Sequence, residues 1–261
     1  MAHPRRKALR SAAFATSILL AAALSPGCGK PQTLGHRVLS SRPHDPESFT
    51  QGLEFRGPVL LESSGGYGSS TIRATNPQTG EVLRKRPMAP GVFAEGISVL
   101  HNRLWVLSWR ENTAFALDPD TLGFLASFRY EGEGWGLTND GRHLIMSDGT
   151  ARLRFLDPQQ FTEIRSVEVT DRGKPVTQLN ELEYADGALY ANIWQSDRVA
   201  RIHPSSGKVT GWLDLSALRA QLPVPNKAEA LNGIARDPAT GRFLVTGKLW
   251  PRTFEIEITG N

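Results

Sequence analysis

Phe93-Ala94-Glu95-Gly96-Ile97-Ser98, followed by Leu104-Trp105-Val106-Leu107-Ser108-Trp109, is the stretch that decides how this 261-residue chain is read. It sets one carboxylate between an aromatic residue and a glycine, at the entrance to an apolar β-patterned run. Four other segments repeat its outline: Phe49-Thr50-Gln51-Gly52-Leu53, Glu133-Gly134-Trp135-Gly136-Leu137, Leu179-Asn180-Glu181-Leu182 and Ala230-Leu231-Asn232-Gly233-Ile234. Positions 52, 96, 136, 181 and 233 align, a period of 40 to 52 residues. Two kinds of turn recur inside each unit. One precedes the second strand, as in Asn139-Asp140-Gly141-Arg142 and Asp186-Gly187; the other precedes the last, as in Asn76-Pro77-Gln78-Thr79-Gly80 and Asp157-Pro158-Gln159. Asx-Pro and Gly supply the dihedrals such turns need.

Each unit therefore reads strand, turn, strand, loop, strand, turn, strand, which is one blade of a β-propeller. The expectation is an all-β, single-domain, five-bladed β-propeller. The fifth unit, ending at Phe254-Glu255-Ile256-Glu257-Ile258, supplies three strands. The early strand Arg37-Val38-Leu39-Ser40 is expected to complete it and close the ring, leaving no open sheet edge. Residues 215–222, ahead of Pro223 and Pro225, are the one stretch expected to form a helical turn or two. A β-sandwich with incidental internal similarity is the alternative.

The N-terminus stands outside this pattern. Arg5, Arg6, Lys7 and Arg10 form a basic segment, residues 11–24 are apolar or small, and Ser25-Pro26-Gly27-Cys28 closes the run. This reads as an export signal, too short to span a bilayer. Cys28 is the single cysteine, so no intramolecular disulfide can form. Its setting resembles a bacterial lipoprotein processing site, with Ser25 where a large aliphatic is usual; an ordinary signal with an incidental cysteine is the other reading. The division is then a signal over residues 1–28 with Cys28 as lipidation site, a linker over 29–35 and the propeller over 36–261. The protein is expected to be exported, periplasmic or anchored to a bacterial membrane through lipidated Cys28. Removing residues 1–28 leaves 26 basic against 26 acidic side chains, so a nucleic-acid partner has no electrostatic support. About 230 residues suffice for one self-contained domain, for which a monomer is the default.

Innermost strands line the channel of a propeller, so the repeated Gln-Gly, Glu-Gly, Trp-Gly, Asn-Glu and Asn-Gly pairs should converge on one mouth. Glu95 is the best acid–base candidate: Phe93 and Trp109 flank it, and a carboxyl among aromatics has its pKa raised toward neutrality. A Glu holding neighbouring blades together is an equal alternative. Gln51, Asn180 and Asn232 carry amides able to donate and accept, with Asn232 the best suited to joining blades. Trp109, Trp135 and Trp194 recur near corresponding blade ends and suggest an aromatic-walled pocket, whereas Trp105 and Trp212 read as core. Lys248 lies in an apolar strand, where a lone ammonium is costly unless paired. Residues 63–70, rich in Gly and Ser, read as a flexible loop at the pocket rim. Six scattered His without HExxH spacing and one Cys give no catalytic zinc. Asp- and Asn-rich turns leave room for a structural Ca²⁺, without an EF-hand pattern. No other cofactor is implied.

Taken in order, Phe49-Thr50-Gln51-Gly52-Leu53, residues 62–70, Phe93-Ala94-Glu95-Gly96, Trp135-Gly136-Leu137, Leu179-Asn180-Glu181-Leu182-Glu183-Tyr184, Ala191-Asn192-Ile193-Trp194 and Leu231-Asn232-Gly233-Ile234-Ala235 resemble the plant and bacterial type of glutaminyl-peptide cyclotransferases. That resemblance implies a five-bladed propeller that converts N-terminal glutaminyl residues of peptides and proteins to pyroglutamate with release of ammonia. It implies Glu95 as proton shuttle, Lys248 and Asn180 binding or polarising the amide, and Gln51 contacting substrate. Phe49, Phe93, Trp109, Trp135 and Trp194 would wall the pocket. The competing expectations are a non-catalytic envelope propeller that binds peptides, and a calcium-dependent lactonase-like propeller.

Overall fold

The computed structural model describes residues 30–260, together with Met1. Cys28 and nearly all of the expected signal lie outside the described residues. The first strand, β1 (Gln32–Pro43), is longer than expected and takes up most of the supposed linker. The reason is a partner far away in sequence. Gln32, Thr33 and Leu34 run parallel to Gly211, Trp212 and Leu213, and Leu34 is buried there.

Three four-stranded antiparallel sheets follow in chain order. The first is β2 (Thr50–Arg56), β3 (Val59–Ser64), β4 (Thr71–Thr75) and β5 (Val82–Pro87); the second is β6 (Ala94–Leu100), β7 (Arg103–Ser108), β8 (Thr113–Leu117) and β9 (Phe124–Arg129). The third is β10 (Leu137–Asn139), β11 (Leu144–Met146), β12 (Arg152–Leu156) and β13 (Glu163–Glu168), after which β14 (Thr170–Asp171) and β15 (Lys174–Pro175) make a small hairpin. The remaining strands form two further four-stranded arrays. One is β16 (Leu179–Ala185), β17 (Ala188–Ile193), β18 (Arg198–Ile202) and β19 (Val209–Asp214); the other is β20 (Leu231–Arg236), β21 (Phe243–Gly247), β22 (Arg252–Thr259) and β1. As expected, the early strand completes the last array, antiparallel to β22 from Gly35–Thr259 to Pro43–Arg252. Its parallel start against β19 joins the two arrays into one eight-stranded sheet. The short helix α1 (Ser216–Arg219) falls within the stretch expected to be helical.

Burial falls from the first strand of each array outward: β2 and β6 start fully buried, while β5, β9 and β13 are mostly exposed. The inner strands pack on one another in a closed cycle, β2 on β6, then β10, β16, β20 and back to β2. The apolar core consists of the seams between arrays. Leu61 and Ile72 meet Ile97 and Leu104; Trp105 and Leu107 meet Leu137 and Met146. Ile145 and Phe155 meet Leu182 and Leu189; Val199 and Leu213 meet Ile234 and Phe243. Each such side chain contributes about 1.5–3 kcal/mol on burial. Trp105 is fully buried, as expected; Trp212 is only half-buried, its indole donating to Asp171 Oδ2 at 3.0 Å beneath the Arg198 guanidinium.

The seam between the last array and the first is thin, with only Leu53, Leu60, Ala235 and Leu244 buried in it. A polar network reinforces it. His44, just past β1, sets Nδ1 2.6 Å from the Trp250 carbonyl and Nε2 3.0 Å from Glu62 Oε1. Neither partner can donate, so both ring nitrogens must, and His44 is an imidazolium. Burial pushes His44 down, but the Glu62 charge and hydrogen bond and the Trp250 carbonyl outweigh it, and its pKa lies above the usual value. Burial likewise opposes the Glu62 charge, yet His44, Arg73 and Ser48 hold that carboxyl down at about 2. A histidine whose folded pKa is raised contributes stability that is complete below its unfolded pKa of about 6.5 and is lost as pH rises through the folded value. His44→Ala should therefore cost about 1.5–3 kcal/mol near pH 6, with the gap to wild type narrowing toward pH 9 in denaturant melts; a gap independent of pH would contradict the imidazolium.

Candidate active site

The repeat that dominates the sequence turns out to be a repeat of β-bulges. The first strand pair of four arrays slips register at its start: between Thr50 and Gly52, Ala94 and Ile97, Leu179 and Leu182, and Leu231 and Ile234. A bulge leaves its extra residues unpaired and re-aims their side chains. The residues released are Gln51, Glu95-Gly96, Asn180-Glu181 and Asn232-Gly233, and Trp135-Gly136 stands in the corresponding place ahead of β10.

Glycine is needed where these bulges meet. A Cβ on Gly96 would sit 2.6 Å from the Trp135 carbonyl oxygen, and one on Gly136 would run into the Asn180 carbonyl. The Gly96 N–H donates to Trp135 O at 2.7 Å, which ties the residue after Glu95 to the next array. In the fourth repeat Glu181 replaces the glycine. Its carboxylate reaches across the axis, accepting from Ile234 N at 2.8 Å and Leu53 N at 3.3 Å.

Glu95 is buried, and its Oε1 accepts from Gln51 Nε2 at 3.0 Å. Burial drives its pKa well above the usual carboxylate value; the Lys248 ammonium opposes the rise, and the charges of Glu133 and Glu111 add to it. Lys248 is buried as well, and burial lowers its pKa against the pull of Glu95 and Glu229. Its Nζ lies 4.7 Å from the centre of the Phe49 ring, a cation–π placement. The two groups thus sense each other's charge without a direct salt bridge among the described residues. Asn232 joins arrays, donating to Thr50 O at 2.9 Å and to Gln51 Oε1 at 3.4 Å. Asn180 Oδ1, Asn192 Nδ2 and Asn232 Oδ1 are buried without partners among the described residues. Each such orphan costs about 1–3 kcal/mol, a cost that a bound polar ligand can relieve.

Two groups of aromatic rings flank the site. Phe93 stands edge-on to Phe49 at 6.2 Å, to Tyr67 at 5.4 Å and to Trp109 at 5.5 Å, while Trp135 stands edge-on to Trp194 at 5.5 Å. Trp194 forms the exposed rim, 36% accessible. Glu133 links the two groups. Its Oε2 accepts both indole N–H groups, from Trp109 at 2.8 Å and from Trp135 at 2.9 Å. Glu111 supports the other side, accepting from Tyr67 Oη at 2.9 Å and Phe93 N at 3.3 Å.

Of the nine residues singled out from the sequence, Gln51 bonds to Glu95, Lys248 lies over Phe49, and Phe49, Phe93, Trp109, Trp135 and Trp194 are joined by ring contacts and Glu133, while Asn180 lies in the bulge whose carbonyl crowds Gly136. The Gly/Ser stretch does reach the rim through Tyr67, but it is not a free loop: Ser63, Ser64 and Ser70 are buried, Gly65 N bonds to Phe49 O at 2.9 Å and Ser70 N to Gly66 O at 2.8 Å. Sequence reasoning missed Glu133, Glu111, Tyr67, Asn192 and Glu229. Glu133 carried a signal as the acid immediately before Gly134-Trp135, and Tyr67 and Asn192 lay inside stretches that carry the family resemblance, whereas Glu111 and Glu229 carried none. Among the described residues no three His, Cys, Asp or Glu side chains are grouped to hold a metal ion.

An all-β chain whose bulged inner strands surround a buried carboxyl of raised pKa, close to clustered aromatic rings, belongs to a class that can move protons on a small polar group. The model of the family described as glutamine cyclotransferase matches residues 11–258. A glutaminyl-peptide cyclotransferase of Arabidopsis thaliana is 41% identical over 239 residues, covering 88% of this chain and 75% of the plant protein. The crystal structure of Myxococcus xanthus glutaminyl cyclase superposes with a TM-score of 0.83 at 38% identity, over 88% of this chain and 98% of that one. The chain belongs to the glutamine cyclotransferase family. At 10% identity and a TM-score of 0.52, over 86% of this chain and all of the other, the β-propeller domain of Cps50 (Swd1) from Myceliophteria thermophila shares the fold alone.

Gly96→Ala is a sharp test of the crowding that holds Glu95. The new methyl meets backbone, which cannot rotate away, so the expected cost is about 1–3 kcal/mol of stability. The variant should also lose activity beyond what the melting curve explains. A variant as stable and active as wild type would show that the inner strands can separate freely.

Proposed function

We propose that this chain is a glutaminyl-peptide cyclotransferase built as a five-bladed β-propeller, converting N-terminal glutaminyl residues of peptides and proteins to pyroglutamate and ammonia. Membership of the family supports the reaction, and the closed cycle of five inner strands supports the blade count. The observation that carries the mechanism is Glu95: a buried carboxyl with a raised pKa, beside an amide donor and within the field of a buried ammonium.

The chemistry follows from that setting. The substrate's α-amine attacks its own γ-carboxamide carbon, a C–N bond forms, and the amide C–N bond breaks with loss of NH₃. A free α-amino group has a pKa of about 7.7–8.0, so it must give up a proton before attack. Glu95, its proton affinity raised by burial, takes the further proton that the attacking nitrogen sheds as the C–N bond forms and returns it to the departing nitrogen, which leaves as NH₃. The adduct's oxyanion gathers charge near the carboxamide oxygen, where Lys248 and the amides of Gln51 and Asn180 supply donors. The aromatic walls hold the flexible glutaminyl side chain folded on itself, the ordering on which the intramolecular attack depends. A site that engages only the glutaminyl residue leaves the following residues outside, so selectivity for them is broad.

Glu95→Gln keeps the shape and removes the shuttle. Release of ammonia from Gln-containing dipeptides should fall about 10²–10⁴-fold, mostly in kcat, with wild-type activity unchanged by a chelator. Activity that survives the substitution would remove Glu95 from this role, and loss with chelator would point to a metal enzyme. In wild type the acid limb of kcat, read at saturating substrate because kcat/KM also carries the titration of the substrate amine, should lie above the ordinary glutamate value of about 4.3.

We further propose that the chain is exported and held at a membrane through Cys28, on the strength of residues 1–28 alone. Mass spectrometry of the mature N-terminus should find a lipid-modified Cys28; an unmodified cysteine would leave a soluble exported enzyme.

A further inference from the structure

We propose that Glu133 is a positioning residue of this site: one carboxylate clamps the indoles of Trp109 and Trp135 and stands a fixed negative charge in the pocket wall. The inference rests on the glutaminyl-cyclising reading above.

Trp109 follows the end of β7 and Trp135 precedes β10, so the two indoles come from different arrays. Their ring nitrogens can only donate, and both donate to the same oxygen, Glu133 Oε2, at 2.8 and 2.9 Å. Oε1 takes the Arg110 Nε at 3.0 Å, and the Arg110 guanidinium carbon lies 3.7 Å from the centre of the Trp109 ring. One face of Trp109 is thus covered by Arg110, its edge is pinned by Glu133, and Phe93 packs against it. Such charge-assisted bonds are about twice as strong as neutral ones.

The backbone beneath Glu133 is equally fixed. Gly134 N donates to Trp109 O at 3.0 Å, Trp135 N to Ser147 O at 3.0 Å, and Trp135 O accepts from Gly96 N at 2.7 Å. The strap carrying Glu133 is therefore bonded at one end to a pocket wall and at the other to the residue after Glu95. Burial works against the Glu133 charge, but the two indoles and Arg110 outweigh it and keep its pKa below the usual value, so the clamp is a carboxylate at neutral pH.

That charge also acts on the proton shuttle. The charged groups bearing on Glu95 are Lys248, which favours its ionised form, and Glu133 and Glu111, which oppose it. Removing the Glu133 charge should lower the Glu95 pKa. A residue of merely structural importance would not move that limb of a pH profile.

The test compares Glu133→Gln and Glu133→Ala with wild type on a Gln dipeptide, following ammonia release from pH 4 to 9 alongside thermal melts and tryptophan fluorescence. Glutamine keeps an acceptor for the indoles but not the charge; alanine keeps neither. Expected for Glu133→Ala is a fall in kcat/KM of about 10–100-fold, carried largely by KM, with altered tryptophan emission. Glu133→Gln should recover much of that loss while the acid limb of its kcat profile, read at saturating substrate, moves to lower pH. The role is overturned if the folded alanine variant keeps wild-type kcat/KM, or if the glutamine variant's acid limb stays in place. Should wild type itself release no ammonia, the cyclase reading fails, a result distinct from an unaffected Glu133 variant in an active enzyme.

Discussion

Backbone crowding at the axis is the constraint on which this molecule depends. Inner strands approach so closely that the Gly96 position has no room for a methyl group against Trp135 O, and the Gly136 position none against Asn180 O. Strands that meet so tightly cannot remain in regular register, and four of the five relax by bulging at the same point. The bulges are what turn Gln51, Glu95, Asn180 and Asn232 out of the ladders. Packing geometry therefore creates the site. Where the fourth repeat abandons glycine, the Glu181 side chain takes over the connection, bonding to Ile234 N and Leu53 N across the axis.

Two buried glutamates show how environment sets a carboxyl's proton affinity. Glu62 accepts from Thr50 at 2.7 Å and from His44 at 3.0 Å, faces Arg73 at 3.7 Å, and is held at about 2. Its charge is fully compensated and its proton is gone at any working pH. Glu95 is as deeply buried, yet it has one amide donor and no direct ion pair among the described residues, and its pKa rises instead. Desolvation without compensation raises a carboxyl's proton affinity, and Glu95 holds a proton far more readily than Glu62 does. The first arrangement staples the thinnest seam of the ring; the second is the setting on which the proposed shuttle depends.

Much of this was legible in the sequence. Period-two runs punctuated by Asx-Pro and Gly turns mark the strands, and the recurring aromatic–polar–glycine units mark the bulges, because each is a local requirement of the backbone. Glu95, Gln51 and the tryptophans could be named since they sit inside or beside that repeat. What stayed hidden depends on partners remote in sequence. Gln32-Thr33-Leu34 looks like polar linker until Gly211–Leu213 is alongside, and the meaning of His44 resides in Glu62 and the Trp250 carbonyl. Glu111 and Tyr67 acquire their roles only when two loops meet over Phe93. Glu133 was visible as a letter, but nothing local says that two indoles converge on one of its oxygens.

The pairing of β1 with β22 has a kinetic consequence. His36 lies opposite Ile258 and Arg42 opposite Thr253, so the strand synthesised first acquires its antiparallel partner only when the last one has emerged. Contacts of such long sequence separation must overcome the full loop-closure entropy before they reward it, and topologies dominated by them fold slowly. Until then the thin seam stays open, and β20 lacks its neighbour β2. Four arrays can assemble from consecutive strands while the ring waits, which keeps the nascent chain without its final closed form for as long as it is being made.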